Sequence, residues 1–280
     1  MSGTVKIGTC SWNYPSWLGH VYTHKAQRAA GYLREYAQHF RTVEIDSWFY
    51  RVPMPGDVAD YLSRVDDGFT FSCKAPRSLL LTHFDTRGSA GKTVRPNPDF
   101  LSPRLFAHFL DAIHAMLPRM DALMLEFGYL NQKKMPSLSA FLEHLDRFFQ
   151  QVERKYPLAV EIRNRNYLRP EYFQLLKQHG VAHVFSEKEY MPHIYQVYRQ
   201  FGHLLADKAV IRLLGGNRAA IEKQTGKVWD RVVSTKQELP AIAEMVRDMT
   251  QRGMDTCVYV NNHYEGCAPL TIARLRDLLE

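Results

Sequence analysis

Acidic and basic side chains recur at alternate positions in short runs that otherwise have the composition of buried β-strands. Residues two apart on a strand share a face, so in Val43-Glu44-Ile45-Asp46 the carboxylates point one way and the aliphatic pair the other. The same alternation puts Glu161 with Arg163 in Val160-Glu161-Ile162-Arg163, and Thr70 and Ser72 with Lys74. It also turns Arg212 away from Ile211 and Leu213. Carboxylates and an imidazole serve as general acid and base when their surroundings set their pKa values apart. Glu44, Glu161 and His263 are the candidates for that work. Lys74, Arg163 and Arg212 would hold a phosphate or carboxylate, the arginines through paired N–H donors. The alternative for the charged set is an internal ion-pair network that fixes strand register.

Two further groups could contact a ligand. Asn261 and Asn262, directly before His263, both donate and accept hydrogen bonds and suit sugar hydroxyls or phosphate oxygens. Trp12, just past the first strand run, offers a face for stacking on a sugar or base.

Eight runs rich in β-branched and aromatic residues must position these groups: Val5–Thr9, Val43–Phe49, Phe69–Lys74, Ala122–Phe127, Ala159–Arg163, Val181–Ser186, Ala209–Leu214 and Cys257–Asn261. Each precedes a helix candidate. The clearest are Pro103–Leu117 and Leu138–Lys155, where apolar residues recur at three- and four-residue intervals. Thr235 and Glu238 spell a capping box for a third helix, which Gly253 ends. Eight βα units in about 250 residues predict an α/β fold, one (β/α)8 barrel of the TIM type. A single domain over residues 1–280 follows. The first turn, Cys10-Ser11-Trp12-Asn13, lacks the glycine fingerprint of a dinucleotide-binding sheet.

Long connections follow strands 3, 4 and 7, roughly Ala75–Ser102, Gly128–Ser137 and Gly215–Ser234. All belong to the face where barrel enzymes build their sites. The first carries Arg77, His83, Arg87, Lys92 and Arg95; the third carries Arg218, Lys223, Lys227 and Trp229. Of these, His83 is the candidate ligand contact.

The composition, 45% apolar and 23% charged, excludes a disordered or collagen-like chain. The net charge of +7 divides as +4 over residues 1–140 and +3 over 141–280, so it forms no nucleic-acid-binding tail. It favours anionic ligands without choosing among them. Cys10, Cys73, Cys257 and Cys267 have neither disulfide-framework nor zinc-site spacing. The chain opens without the pattern of a signal peptide and has no membrane-spanning run, so a cytoplasmic protein is expected.

The blocks IGTCSWNYPSWLGHVY, VEIDSWFYRVP, FTFSCKAPRSLLLTHF, AVEIRNRNYL, VIRLLGG and VYVNNHYEGCAPL follow one another along nearly the whole chain. In this order they resemble the YecE-like family, domain of unknown function seventy-two. The resemblance implies a (β/α)8 barrel and no established activity. It covers Gly8, Trp12, Tyr14, Glu44, Phe49, Tyr50, Lys74, His83, Glu161, Arg163, Arg212, Asn261, Asn262 and His263. The chain departs from the family pattern at Asp46, Trp48, Glu126, Asn164 and Leu214.

The first expectation is a hydrolase, isomerase or lyase acting on a small anionic or polyhydroxylated substrate. Nucleic-acid binding or phosphodiester cleavage at the same mouth is the second, and a non-catalytic metabolite-binding module the third. No cofactor is expected. A divalent metal could draw on Glu44, Asp46, Glu126, Glu161, Glu187 and His263, but the interleaved cations argue against one.

Overall fold

The computed structural model describes residues 2–88, 91–153 and 155–280; the side chains of 85–94, including those of Arg87 and Lys92, lie outside the description. Among the described residues the strands are β1 (Val5–Thr9), β2 (Thr42–Ile45), β3 (Thr70–Lys74), β4 (His83–Gly88), β5 (Gly91–Pro96), β6 (Met120–Phe127), β7 (Leu158–Ile162), β8 (Ala182–Lys188), β9 (Lys208–Gly215) and β10 (Asp255–Val260). Eight of them form one parallel sheet in the order β1-β10-β9-β8-β7-β6-β3-β2, while β4 and β5 make a separate antiparallel hairpin. The sheet curls until its edges meet: Cys10 bridges Glu44, and the Ser11 N–H donates to the Glu44 carbonyl at 3.0 Å. Helices between successive strands complete a (β/α)8 barrel.

Closure depends on Gly8. A Cβ there would lie 2.1 Å from the Thr42 carbonyl oxygen, so β1 and β2 approach only because that atom is absent.

Strand alternation divides the core. Val43, Ile45, Phe71, Leu123, Leu125, Ile162 and Ile211 face the helices and are buried. Ala122, Met124, Ala159, Ala182, Val184, Val210, Cys257 and Tyr259 fill the interior. Three alanines leave room for Tyr259, whose hydroxyl lies 2.6 Å from Ser72 and 3.0 Å from Thr42. Toward the strand N-termini Lys6 pairs with Asp121 at 2.8 Å. An apolar layer thus lies between two polar ones.

The expected strand positions hold, with revised ends. The second strand stops at Ile45 rather than Phe49, because Ser47–Phe49 turn as a short 3-10 helix that buries Trp48. The helix from Pro103 stops at Ala112 and continues as a 3-10 segment, His114–Arg119, which contains Pro118. The helix from Leu138 ends at Gln151. The Thr235 capping box does not form. Glu265 holds the preceding backbone through Val233, Ser234 and Lys236, and the helix starts at Leu239 with Pro240 in its first turn. Gly253 does end that helix, at φ +81°.

All three long connections are present. The first contains a helical turn, Arg77–Leu80, and the β4–β5 hairpin; Asn97 fastens them by donating to the Ser78 and Leu81 carbonyls, each at 2.7 Å. The third contains a helix, Arg218–Thr225, capped by Asn217, whose side-chain oxygen accepts from Ala220 N–H. Among the described residues no helix is long and apolar enough to cross a membrane.

Gly8→Val should therefore push β1 from β2 and cost at least about 1–3 kcal/mol, the usual range for overpacking. Urea unfolding followed by tryptophan fluorescence measures this; an unchanged midpoint would show that the strands do not depend on the close approach.

Candidate functional site

The C-terminal ends of the barrel strands carry the charged layer. Glu44 on β2, Glu126 on β6 and Glu161 on β7 converge on Arg212 of β9. Glu44 accepts from Arg212 Nε at 2.8 Å and Nη2 at 2.7 Å, a bidentate pair across the barrel. Arg212 Nη1 donates to Glu161 at 2.5 Å and to Glu126 at 3.0 Å. Arg163, just beyond β7, donates to Glu126 at 2.6 Å and Glu161 at 3.3 Å. Lys74 at the end of β3 donates to Asp46 and lies 3.2 Å from Glu126 and 3.8 Å from Glu44. Its ammonium also sits 5.2 Å from the centre of the Phe49 ring.

Four carboxylates thus surround three cations in a site where charges are stable only when matched. Burial opposes the Arg212 charge, but Glu44, Glu161 and Glu126 outweigh it and hold the guanidinium firmly protonated. Burial and Arg212 likewise oppose the Lys74 charge; Glu44, Glu126 and Asp46 prevail and raise its pKa. Burial alone would raise the Glu126 pKa, yet Arg212, Lys74 and Arg163 bring it down to about 2.

Lys188 differs from this set. Alternation along β8 turns Ala182, Val184, Ser186 and Lys188 into the barrel, and Lys188 is half-buried at the strand end. Its carbonyl accepts from the Met191 N–H at 3.2 Å, but its ammonium makes neither a hydrogen bond nor an ion pair among the described residues. Burial, reinforced by Arg163, pushes its pKa below the ordinary lysine value despite the opposing influence of Glu161 and Glu126. The Ser186 hydroxyl, one turn of the alternation deeper, is buried without a partner among the described residues.

His263 lies beyond β10 in a second cluster. Asn261 Oδ1 accepts from the His263 backbone N–H at 3.0 Å and faces Nδ1 at 2.7 Å, which assigns a proton to Nδ1. Nε2 lies 3.1 Å from Glu222. Glu222 also accepts from Arg218 at 2.7 Å; that bond, with the one to His263, draws its pKa to about 2. Trp229 packs 4.7 Å from the imidazole, centre to centre. Burial lowers the His263 pKa; Glu222 counters this, Arg218 and Lys188 add to it, and the net is below the ordinary value. Gly215 lets the two chains meet: at φ +81°, a Cβ on it would lie 2.2 Å from the His263 carbonyl oxygen.

The expected site residues therefore separate. Glu44, Lys74, Glu161, Arg163 and Arg212 come together, but Glu44 and Glu161 are fully buried, with Arg212 on both. They hold Arg212 and are closed to solvent. Trp12 is corrected: it is buried against Tyr61, and its indole N–H donates to the Ala29 carbonyl at 2.8 Å, so no face is free for stacking. Asn262 is buried and its Oδ1 accepts from Trp17 and from the Ala268 N–H, fixing the turn, while its Nδ2 has no partner among the described residues. Asn261 orients His263. His83 begins the hairpin and contacts Thr82 at 3.1 Å, apart from both clusters. Lys188 would have been found by extending the alternation two residues past Ser186, and Glu126 by completing Ala122-Met124-Glu126. No local signal joins Glu222 to His263, 41 residues apart.

Fold and mouth together define a (β/α)8 barrel protein with a charged C-terminal face. Residues 6–280 match the family described as "Protein of unknown function DUF72", and the chain belongs to it. The UPF0759 protein YecE of Escherichia coli (strain K12) is 28% identical over 148 residues, 49% of this chain and 50% of that protein. The match thus spans about half the length of this curated relative. A DUF72 family protein of Enterococcus faecalis superposes with a TM-score of 0.69 at 19% identity, covering 99% of this chain and 95% of the other. Another, from Thermotoga maritima, gives 0.66 at 22% identity, with 99% of each chain covered.

Arg212→Met should leave three buried glutamates without their shared cation and cost about 3–5 kcal/mol, the usual price of breaking a buried pair from one side. A loss below about 1 kcal/mol in urea would contradict the network's role. Acid unfolding supplies a second check. Because Glu126 is lowered in the folded state, its contribution is complete above the unfolded carboxylate pKa and is lost as pH falls toward about 2. Glu126→Gln should flatten the stability profile across that window; a parallel displacement of the whole profile would argue otherwise.

Proposed function

We propose that the chain is an enzyme that performs acid–base chemistry at the barrel mouth on a small anionic substrate, polyhydroxylated or carboxylate- or phosphate-bearing. The observation that carries this reading is Lys188, a half-buried cation without a carboxylate partner beside a network in which every other cation is matched. A substrate anion would give the Lys188 ammonium the direct partner it lacks, with Arg163, the more exposed of the two arginines, as its second contact. His263 is the proton-transferring group: burial holds its pKa below the ordinary value, Asn261 fixes the ring, and Nε2 faces Glu222. Glu222 steadies the imidazolium formed when Nε2 takes a proton. Hydrolysis, isomerisation and elimination all use such a base, and the geometry does not select among them.

Thermal-shift measurements with sugar phosphates and hydroxycarboxylates, followed by turnover assays on the compounds that bind, test the reading. Binding should raise the melting temperature of the wild-type chain and vanish in Lys188→Met. His263→Asn should retain binding and lose at least about a hundredfold in turnover, within the usual range for a general base. The wild-type kcat/KM should rise with pH and level off above a pKa lower than the ordinary histidine value of about 6.5. Binding undiminished in Lys188→Met would remove the anion site; binding without turnover would make the barrel a metabolite-binding module.

A further inference from the structure

Glu187 stands beside Lys188 at the C-terminal end of β8. There it borders a cavity of about 270 Å³, which Lys188, His193, Gly215, Glu238 and Tyr264 also line. Glu187 is buried. His193 precedes the helix Ile194–Phe201, and Glu238 occupies the N-cap position of the helix Leu239–Gln251. Three different elements therefore bring one imidazole and two carboxylates together, with one donor atom from each lying within 4.8 Å of the others.

We propose that Glu187, His193 and Glu238 bind one divalent metal ion of the zinc class in this cavity. The donor set is the first support. One imidazole and two carboxylates suit a borderline ion such as zinc, whereas calcium and magnesium prefer oxygen alone. At metal–ligand distances of about 2.0–2.2 Å, neighbouring donors stand roughly 3.3 Å apart. Glu187 Oε1 and His193 Nδ1 are hydrogen-bonded at 2.7 Å, a contact that would have to open by about 0.6 Å to admit the ion between them. The other Glu187 oxygen accepts from the Ile194 N–H at 2.9 Å, which fixes the carboxylate as an outer-shell bond fixes a ligand.

Tyr264 is the second and independent support. It is fully buried, lines the same cavity, and its hydroxyl has no partner among the described residues. Burial raises its pKa, and Glu238 and Glu187, which line the same cavity, raise it further, yet the phenol donates to neither. A buried hydroxyl left unpaired is costly. A water or anion on the metal's remaining position would give it an acceptor, and Lys188 borders the same space. The site does not depend on His263 acting as a base.

Isothermal titration calorimetry of zinc chloride into the full chain, stripped with chelator and dialysed, tests the proposal. The wild type should bind one ion per chain. Affinity should fall at least about tenfold in His193→Ala and in Glu238→Gln, the lower bound seen for disturbed metal sites. His20→Ala, which removes an exposed imidazole elsewhere, should bind as the wild type does. Glu187 is left intact because it also caps a helix, and circular dichroism identifies any variant that fails to fold, in which case the other decides. Absence of saturable one-to-one binding by the wild type, or wild-type affinity in a folded ligand variant, overturns the proposal.

Discussion

A single guanidinium organises the upper half of the barrel. Arg212 stands inside a ring of parallel strands and meets Glu44, Glu126 and Glu161, which come from β2, β6 and β7. An arginine enclosed this way is tolerable only if its N–H groups and charge are answered. The bond to Glu44 spans 168 positions of sequence and ties β9 to β2, three strands further round the closed barrel. A register slip of one residue on any of these strands would turn its glutamate toward the helices and leave the cation short of a partner. The polar layer thus specifies the barrel as the apolar layer beneath it stabilises it.

The same constraint determines which part of the mouth is free to meet a ligand. Lys74, Arg163 and Arg212 look like an anion site in the sequence, yet their charges are matched internally by four carboxylates. Lys188 stands at the edge of this balance. It is lowered by burial and by Arg163, where Lys74 is raised by Glu44, Glu126 and Asp46. Two lysines at one mouth therefore carry opposite electrostatic signatures. Lys188 also depresses His263, which places it electrostatically between the matched network and the histidine cluster.

Much of this was legible in the sequence because strand alternation is a local rule. It placed Glu44, Lys74, Glu161, Arg163 and Arg212 in the interior, and the recurrence of strand and helix gave the barrel. It failed where structure depends on partners distant in sequence. The aromatic character of Trp12 does not reveal that Tyr61 and the Ala29 carbonyl enclose it. The two asparagines beside His263 are chemically alike, but only the fold shows that Asn261 serves the imidazole and Asn262 the turn. Lys188 was missed for a simpler reason, since β8 runs two residues beyond the apolar stretch that announced it. The site cluster was thus visible as a set of inward charges, whereas its division into matched and unmatched members was not.

The division between matched and unmatched cations is the account's central claim, and the two lysines report it directly. A pH titration followed by lysine-selective ¹³C NMR, with Lys74 and Lys188 assigned by substitution, resolves each ammonium. Lys188 should deprotonate below the ordinary lysine value and Lys74 above it. Coincident titrations, or the reverse order, would contradict the claim that the internal carboxylates neutralise Lys74 and leave Lys188 to a ligand.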